Sequence, residues 1–134
     1  MPVETCFVCG VKRSPADALR LFAGELAPGR VAATWIPGPA FGDDPGQVHT
    51  EHVIAALDCP GGWAVVSAEP RSRVPMVLGR VWVRSLAPVR VGLPYVVVGA
   101  ATGQEQRKHF ASTAVCDAQG GLRAVARSVW FPRP

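Results

Sequence analysis

Residues 48–65, VHTEHVIAALDCPGGWAV, decide the fold of this chain. Steps of 100° per residue from Thr50 place the apolar side chains on one side of a helix and the polar ones on the other. Thr50 is a residue type that often caps a helix N-terminus. Pro60 lacks a backbone donor and disfavours helical geometry at Cys59. The stretch therefore predicts one short, core-facing helix that begins at Thr50 and is terminated by Pro60 and the two glycines after it.

Strand patterns lie on both sides of this helix. Before it, residues 18–26 and 30–36 are predicted to pair, followed by a loop rich in proline and glycine over 37–46. After it come four runs rich in β-branched and aromatic residues, at Val81 to Val83, 94–101, 107–115 and 122–130. The sequence thus predicts an α+β domain in which a single helix lies on a curved antiparallel sheet.

Composition limits what the chain can be. Its 134 residues suit one domain, residues 1–134, and 49% hydrophobic residues against 18% charged ones argue against disorder. The apolar runs are strand-sized, well short of the roughly 20 residues of a membrane span. The beginning of the chain does not resemble a secretory signal, so we expect a cytoplasmic protein with reduced cysteines. With so many hydrophobic residues, some apolar surface should remain exposed on a single chain, which favours a homo-oligomer.

The net charge of +4 comes from fourteen basic and ten acidic residues. Nearly all of the basic residues are arginines, whose planar fork suits discrete phosphates. Since no dense basic block is present, the charge pattern argues against nucleic acid and favours a phosphorylated small molecule.

The order of elements, with this particular helix, resembles the hotdog fold. The helix itself is similar to that of hotdog acyl-CoA thioesterases of the phenylacetate-pathway type, which opens with His-Gly-Gly and carries a catalytic acid nine residues after the histidine. His49 and Asp58 have that spacing, with Thr50 and Glu51 in place of the two glycines. The segment CFVCG at residues 6–10 is also similar to the opening of one branch of hotdog proteins.

The resemblance implies a mechanism. Asp58 would attack the thioester carbonyl or activate a water, the Thr50 backbone N–H would polarise the carbonyl oxygen, and His49 would be the histidine at the helix entry. Glu51 is a second candidate carboxylate, because it lies about 20° from Asp58 around a helix of 3.6 residues per turn and a related hotdog branch uses a glutamate on this helix. At the end of the predicted helix, the dipole should raise the pKa of Asp58.

Helix geometry implies that two chains share the site. Asp58 follows Thr50 by eight residues, which is about 12 Å along the axis at 1.5 Å per residue. One carbonyl group cannot touch both, so Thr50 of one subunit should face Asp58 of another. We therefore expect a homodimer, or a homotetramer made of two such dimers.

No cofactor is expected beyond coenzyme A as a part of the substrate. Arg80 and Arg84 flank Trp82 at the two-residue period of a strand, which suits stacking on adenine and pairing with phosphates. Arg107 and Lys108 start a predicted strand, where hotdog relatives often place basic residues for the nucleotide end of coenzyme A. An exposed basic sheet face is the alternative for both groups.

Other interpretations stay open. Asp58 and Glu51 could form a solvated helix face, and the chain could be a non-catalytic module that binds an acyl-CoA or another acyl ligand. Cys6 and Cys9 have the spacing of half a zinc site, but a closed site would have to recruit Cys59, Cys116 or a histidine. We therefore predict no metal and a structural role for the cysteines.

Overall fold

The described part of the chain contains six strands and two consecutive helical segments. The computed structural model describes residues 3–43, 45–71 and 74–134. In chain order the elements are β1 (Gly24–Ala27), β2 (Arg30–Trp35), a 3₁₀ turn (Pro39–Phe41), α1 (Thr50–Ala56), α2 (Cys59–Ala68), β3 (Met76–Ser85), β4 (Tyr95–Glu105), β5 (Lys108–Asp117) and β6 (Leu122–Pro132).

All six strands belong to one antiparallel sheet in the order β1-β2-β4-β5-β6-β3. Burial alternates along β4, whose inward residues include Val97, and the helical segments cover this inner face. Leu57 between the helices packs in the same core as Val97 and Val115. The predicted fold class, a helix on a curved antiparallel sheet, is confirmed.

The first predicted strand is wrong over most of its length. The prediction covered residues 18–26, but β1 contains only Gly24–Ala27. Arg20 has a φ of 55°, which a continuous strand does not allow. The N–H groups of Leu19 and Leu21 instead donate to the carbonyls of Phe7 and Val8. This segment therefore anchors the N-terminal residues to the core.

The predicted helix end at Pro60 is also wrong. The chain bends at Leu57–Asp58 and a second helix starts at Cys59, with Pro60 in its first turn, where a missing N–H costs nothing. Gly61 and Gly62 lie against the sheet rather than ending a helix. A Cβ on Gly62 would come within 2.9 Å of the Trp130 indole, so these glycines let α2 approach the sheet closely.

The bend leaves one backbone carbonyl in need of a donor. The N–H of Gly61 binds the carbonyl of Asp58, and so the carbonyl of Leu57 loses its usual partner within a helix. The hydroxyl of Thr113 on β5 donates to that carbonyl at 2.8 Å, and both groups are buried. Thr113 therefore holds the bend at a fixed place on the sheet.

Replacing Thr113 by valine is expected to destabilise the protein by roughly 1–3 kcal/mol, because the Leu57 carbonyl stays buried without a donor. The free energy of unfolding in urea measures the effect. Thr34→Val makes the same change at an exposed position of β2 and should leave stability within about 0.5 kcal/mol. Equal effects of the two substitutions would contradict this role of Thr113.

Candidate functional site

Asp58 lies at the bend between α1 and α2. It is partly buried, and its backbone is helical at φ −77° and ψ −78°. As far as the structure describes the chain, the carboxylate makes no capping hydrogen bond to the first turn of α2. Burial raises the pKa of Asp58 above the ordinary value of an aspartate. A carboxylate with a raised pKa and no cap partner is suited to accept a proton or to attack a carbonyl.

The predicted cause of this raised pKa is wrong. The sequence placed Asp58 in the last turn of a helix, but it precedes α2 as that helix's N-cap residue. The dipole of α2 favours a negative charge at this end. Loss of hydration on burial therefore raises the pKa of Asp58, although the dipole of α2 acts in the opposite direction.

His49, Thr50 and Glu51 form the entry to α1. His49, rather than Thr50, is the N-cap residue: its backbone is extended, and its carbonyl accepts from His52 and Val53. Thr50 and Glu51 are the first two helical residues, and both are exposed. Glu51 thus differs from the partly buried Asp58, although both are carboxylates on the same helical stretch.

His52 has a structural contact that the sequence did not indicate. Its Nδ1 lies 3.1 Å from the carbonyl oxygen of Phe41, and its ring packs against Phe7 and Phe41. The backbone N–H of His49 donates to the same carbonyl. These contacts fix the entry of α1 against the 3₁₀ turn and the N-terminal segment.

Arg80, Trp82 and Arg84 share one face of β3, as predicted from the strand period. The Arg80 guanidinium lies 5.4 Å from the centre of the Trp82 ring. Their neighbours Val81 and Val83 pack against the core that contains Leu57, so the three side chains point to the outer face of the sheet. Within one chain, the sheet separates them from Asp58.

An open cleft of about 840 Å³ runs over this outer face. Trp82 and Arg84 line it together with Arg30 and Arg127 from other strands. The predicted basic pair is elsewhere: Arg107 lies in the β4–β5 turn, and Lys108 opens β5 opposite Glu105. Arg107 lies six positions before Thr113 in the chain, roughly 20 Å at 3.4 Å per strand residue.

Thr50 lies beside the edge of the sheet. It lines a small cleft with Val83 and Ser85 of β3, and β3 is the last strand in the order, paired with β6 alone among the strands described. Its ten residues are mostly exposed. An unpaired edge of this length is a template for another strand.

Three cysteines meet at the start of α2, directly after Asp58 in the chain. The Sγ atoms of Cys6, Cys9 and Cys59 lie within 4.8 Å of one another, and those of Cys6 and Cys59 are 3.6 Å apart. A hydrogen bond between the thiols of Cys9 and Cys59 lowers the pKa of Cys9 to about 6 and raises that of Cys59. The spacing of Cys6 and Cys9 was visible in the sequence, but the approach of Cys59 was not.

Comparisons with known proteins give structural relatives only. No family model and no curated protein matches the chain. A solved thioesterase superfamily protein matches with a TM-score of 0.76 and 18% identity, over 85% of this chain and 57% of its own. Zebra fish thioesterase superfamily member 2 matches with a TM-score of 0.73 and 17% identity, over 83% of this chain and 80% of its own. The chain has the hotdog fold.

A further hotdog neighbour was solved with a ligand. It is a hypothetical thioesterase protein from Streptococcus pneumoniae TIGR4 with coenzyme A, at a TM-score of 0.73 and 14% identity, over 82% of this chain and 86% of its own. The hotdog chain described here spans little more than half of the first neighbour's length. None of the helices within the described ranges has the length and apolarity that a membrane crossing requires.

Proposed function

We propose that this hotdog protein hydrolyses an acyl-CoA-type thioester and that Asp58 carries the reaction. The observation behind the proposal is the partly buried carboxylate at the helix bend, whose pKa burial raises. Its nine-residue step from His49 resembles that of phenylacetate-pathway-type thioesterases. Solved neighbours include thioesterase superfamily members, and two neighbours contain coenzyme A or acetyl-CoA.

Two routes of hydrolysis use the same carboxylate. In one, Asp58 takes a proton from a water whose oxygen attacks the thioester carbon; the C–S bond then breaks and the CoA thiolate leaves. In the other, an Asp58 oxygen attacks that carbon directly, the C–S bond breaks with loss of the CoA thiolate, and water hydrolyses the resulting anhydride. Both routes place negative charge on the carbonyl oxygen, which a backbone N–H stabilises. We assign this donor role to Thr50.

The proposed site contains residues of two chains, because the eight residue steps from Thr50 to Asp58 correspond to about 12 Å along a straight helix, too far for one carbonyl group to touch both. Edge strand β3 is the surface we propose for pairing of the two copies. Val77 and Leu78 on it are 43% and 36% exposed, apolar side chains that pairing with a second chain would help to cover. Pairing there would bring a second chain beside the cleft that Thr50 lines.

The nucleotide end of the substrate is assigned to the basic residues of the surface. The Trp82 ring offers a stacking surface for adenine, and Arg80 and Arg84 offer forks for phosphate oxygens. Because these side chains lie across the sheet from Asp58 of their own chain, they are proposed to act on the substrate as part of the assembled oligomer. Arg107 and Lys108 are the second candidate group.

Steady-state release of the CoA thiol tests the proposed function. A panel of acyl-CoA esters, from acetyl to long-chain and aromatic acyl groups, is expected to contain substrates with kcat/KM of about 10⁴ M⁻¹s⁻¹ or more. The free carboxylic acid must appear in equal amount. Saturable binding of the same esters without release of thiol would contradict hydrolysis and support the acyl-binding alternative, and absence of both would contradict any acyl-CoA function.

A further inference from the structure

The N-terminal turn holds two thiols in a metal-ligand arrangement. The N–H of Gly10 donates to the carbonyl of Cys6 at 2.9 Å, so that the chain folds back over Cys6 and Cys9. A Cβ at Gly10 would clash with backbone atoms of Cys6, and only glycine fits there. Two cysteines separated by two residues in a tight turn are a frequent half of a zinc site.

Cys59 adds a third thiol from a distant part of the chain. It is the first residue of α2, 53 positions from Cys6, and the bend before α2 brings it to the N-terminal turn. A tetrahedral zinc ion with Zn–S bonds of about 2.3 Å separates its sulfur ligands by about 3.8 Å. The observed Cys6–Cys59 separation is 3.6 Å, and all three Sγ atoms lie within 4.8 Å of one another.

In place of the prediction of no metal, which could not include the approach of Cys59, we propose that Cys6, Cys9 and Cys59 bind one Zn²⁺ ion, with a water molecule as the fourth ligand. A cavity of about 130 Å³ borders the three thiols and provides room for that water, which occupies about 30 Å³ in the liquid. Its other walls include Trp63 and Trp130. A disulfide would use two of the three sulfurs and leave the third, whereas a metal ion uses all of them.

The ion would attach the N-terminal segment to the start of α2, one residue after Asp58. Thiolate ligands give up their protons on binding, so the affinity should fall as the pH is lowered. The proposed zinc site does not depend on thioester hydrolysis. We expect bound zinc, and stabilisation of the fold by zinc, whether or not an acyl-CoA is a substrate.

Metal content and cobalt spectroscopy test the proposal. Reduced protein is expected to contain or take up about one Zn²⁺ per chain, and Co²⁺ should give the thiolate-to-metal charge-transfer bands of a tetrahedral sulfur-rich site. Cys6→Ser, Cys9→Ser and Cys59→Ser should each weaken Zn²⁺ binding by about 100-fold or more. Zn²⁺ should raise the Tm of the wild type but not the Tm of these three variants.

Cys116→Ser is the matched control, because Cys116 lies on β5 and is not part of the cluster. It should bind Zn²⁺ like the wild type. Failure of reduced wild-type protein to bind Zn²⁺ or Co²⁺ would overturn the proposal, as would undiminished binding by Cys59→Ser. If a cysteine variant does not fold, the cobalt spectrum of the wild type decides alone, since a spectrum without thiolate bands excludes these ligands.

Discussion

Asp58→Asn is expected to lower kcat for thioester hydrolysis by about 10³-fold, because the amide can neither take a proton from water nor attack the carbonyl. KM should change little, since the amide has nearly the size and shape of the carboxyl group. The measurement is steady-state release of CoA thiol by the wild type and the variant, with the best substrate of the acyl-CoA panel.

Glu51→Gln is the matched control for this substitution. It makes the same carboxylate-to-amide change on the same helical stretch, but at an exposed side chain. We expect its kcat to stay within about 3-fold of the wild type, as for a surface residue outside the chemistry. A large loss in Glu51→Gln together with a normal rate in Asp58→Asn would transfer the catalytic role to Glu51.

Stability separates lost chemistry from a damaged fold. Burial raises the pKa of Asp58 in the folded state, so the folded protein loses stability as the pH rises through that pKa. Asp58→Asn removes this cost and should be as stable as the wild type or more stable at neutral pH. At a pH below about 3.9, where both states of the wild type are protonated, the gain should vanish.

The order of elements was predictable because each pattern is local. The helix and the later strands follow from the spacing of apolar residues within windows of about ten positions. Pro60 and the glycines after it were interpreted as a helix end for the same reason. Their actual role depends on Trp130, which packs against Gly62 from a strand far away in the chain, and no local pattern contains that contact.

The candidate site was predictable only in part, for a similar reason. The step from His49 to Asp58 is a spacing of nine residues in the sequence and could be recognised, but the burial of Asp58 depends on the bend that Thr113 holds from β5. The cysteine cluster needs Cys59 beside the N-terminal turn, a contact across 53 positions. The positive φ of Arg20 likewise excludes the beginning of the predicted strand 18–26, although its apolar pattern is typical of a strand.

Thr50→Pro is expected to lower kcat by about 10²-fold, because it removes the N–H that we assign to the carbonyl oxygen. The first helical position tolerates proline, whose missing N–H has no partner within the helix. His49 has a φ of −60° and a ψ of 141°, the geometry that a residue before proline prefers. Thr50→Ala keeps the N–H and should retain nearly full activity.

Mixed dimers of the two inactive chains test the shared site most directly. One chain carries Asp58→Asn, the other Thr50→Pro, and two affinity tags isolate the heterodimer. If Thr50 of one subunit faces Asp58 of the other, one of the two symmetric sites is intact, and the heterodimer should recover about half of the wild-type kcat per dimer. A heterodimer as inactive as both parent homodimers would contradict the account, because each site would then lie within one chain.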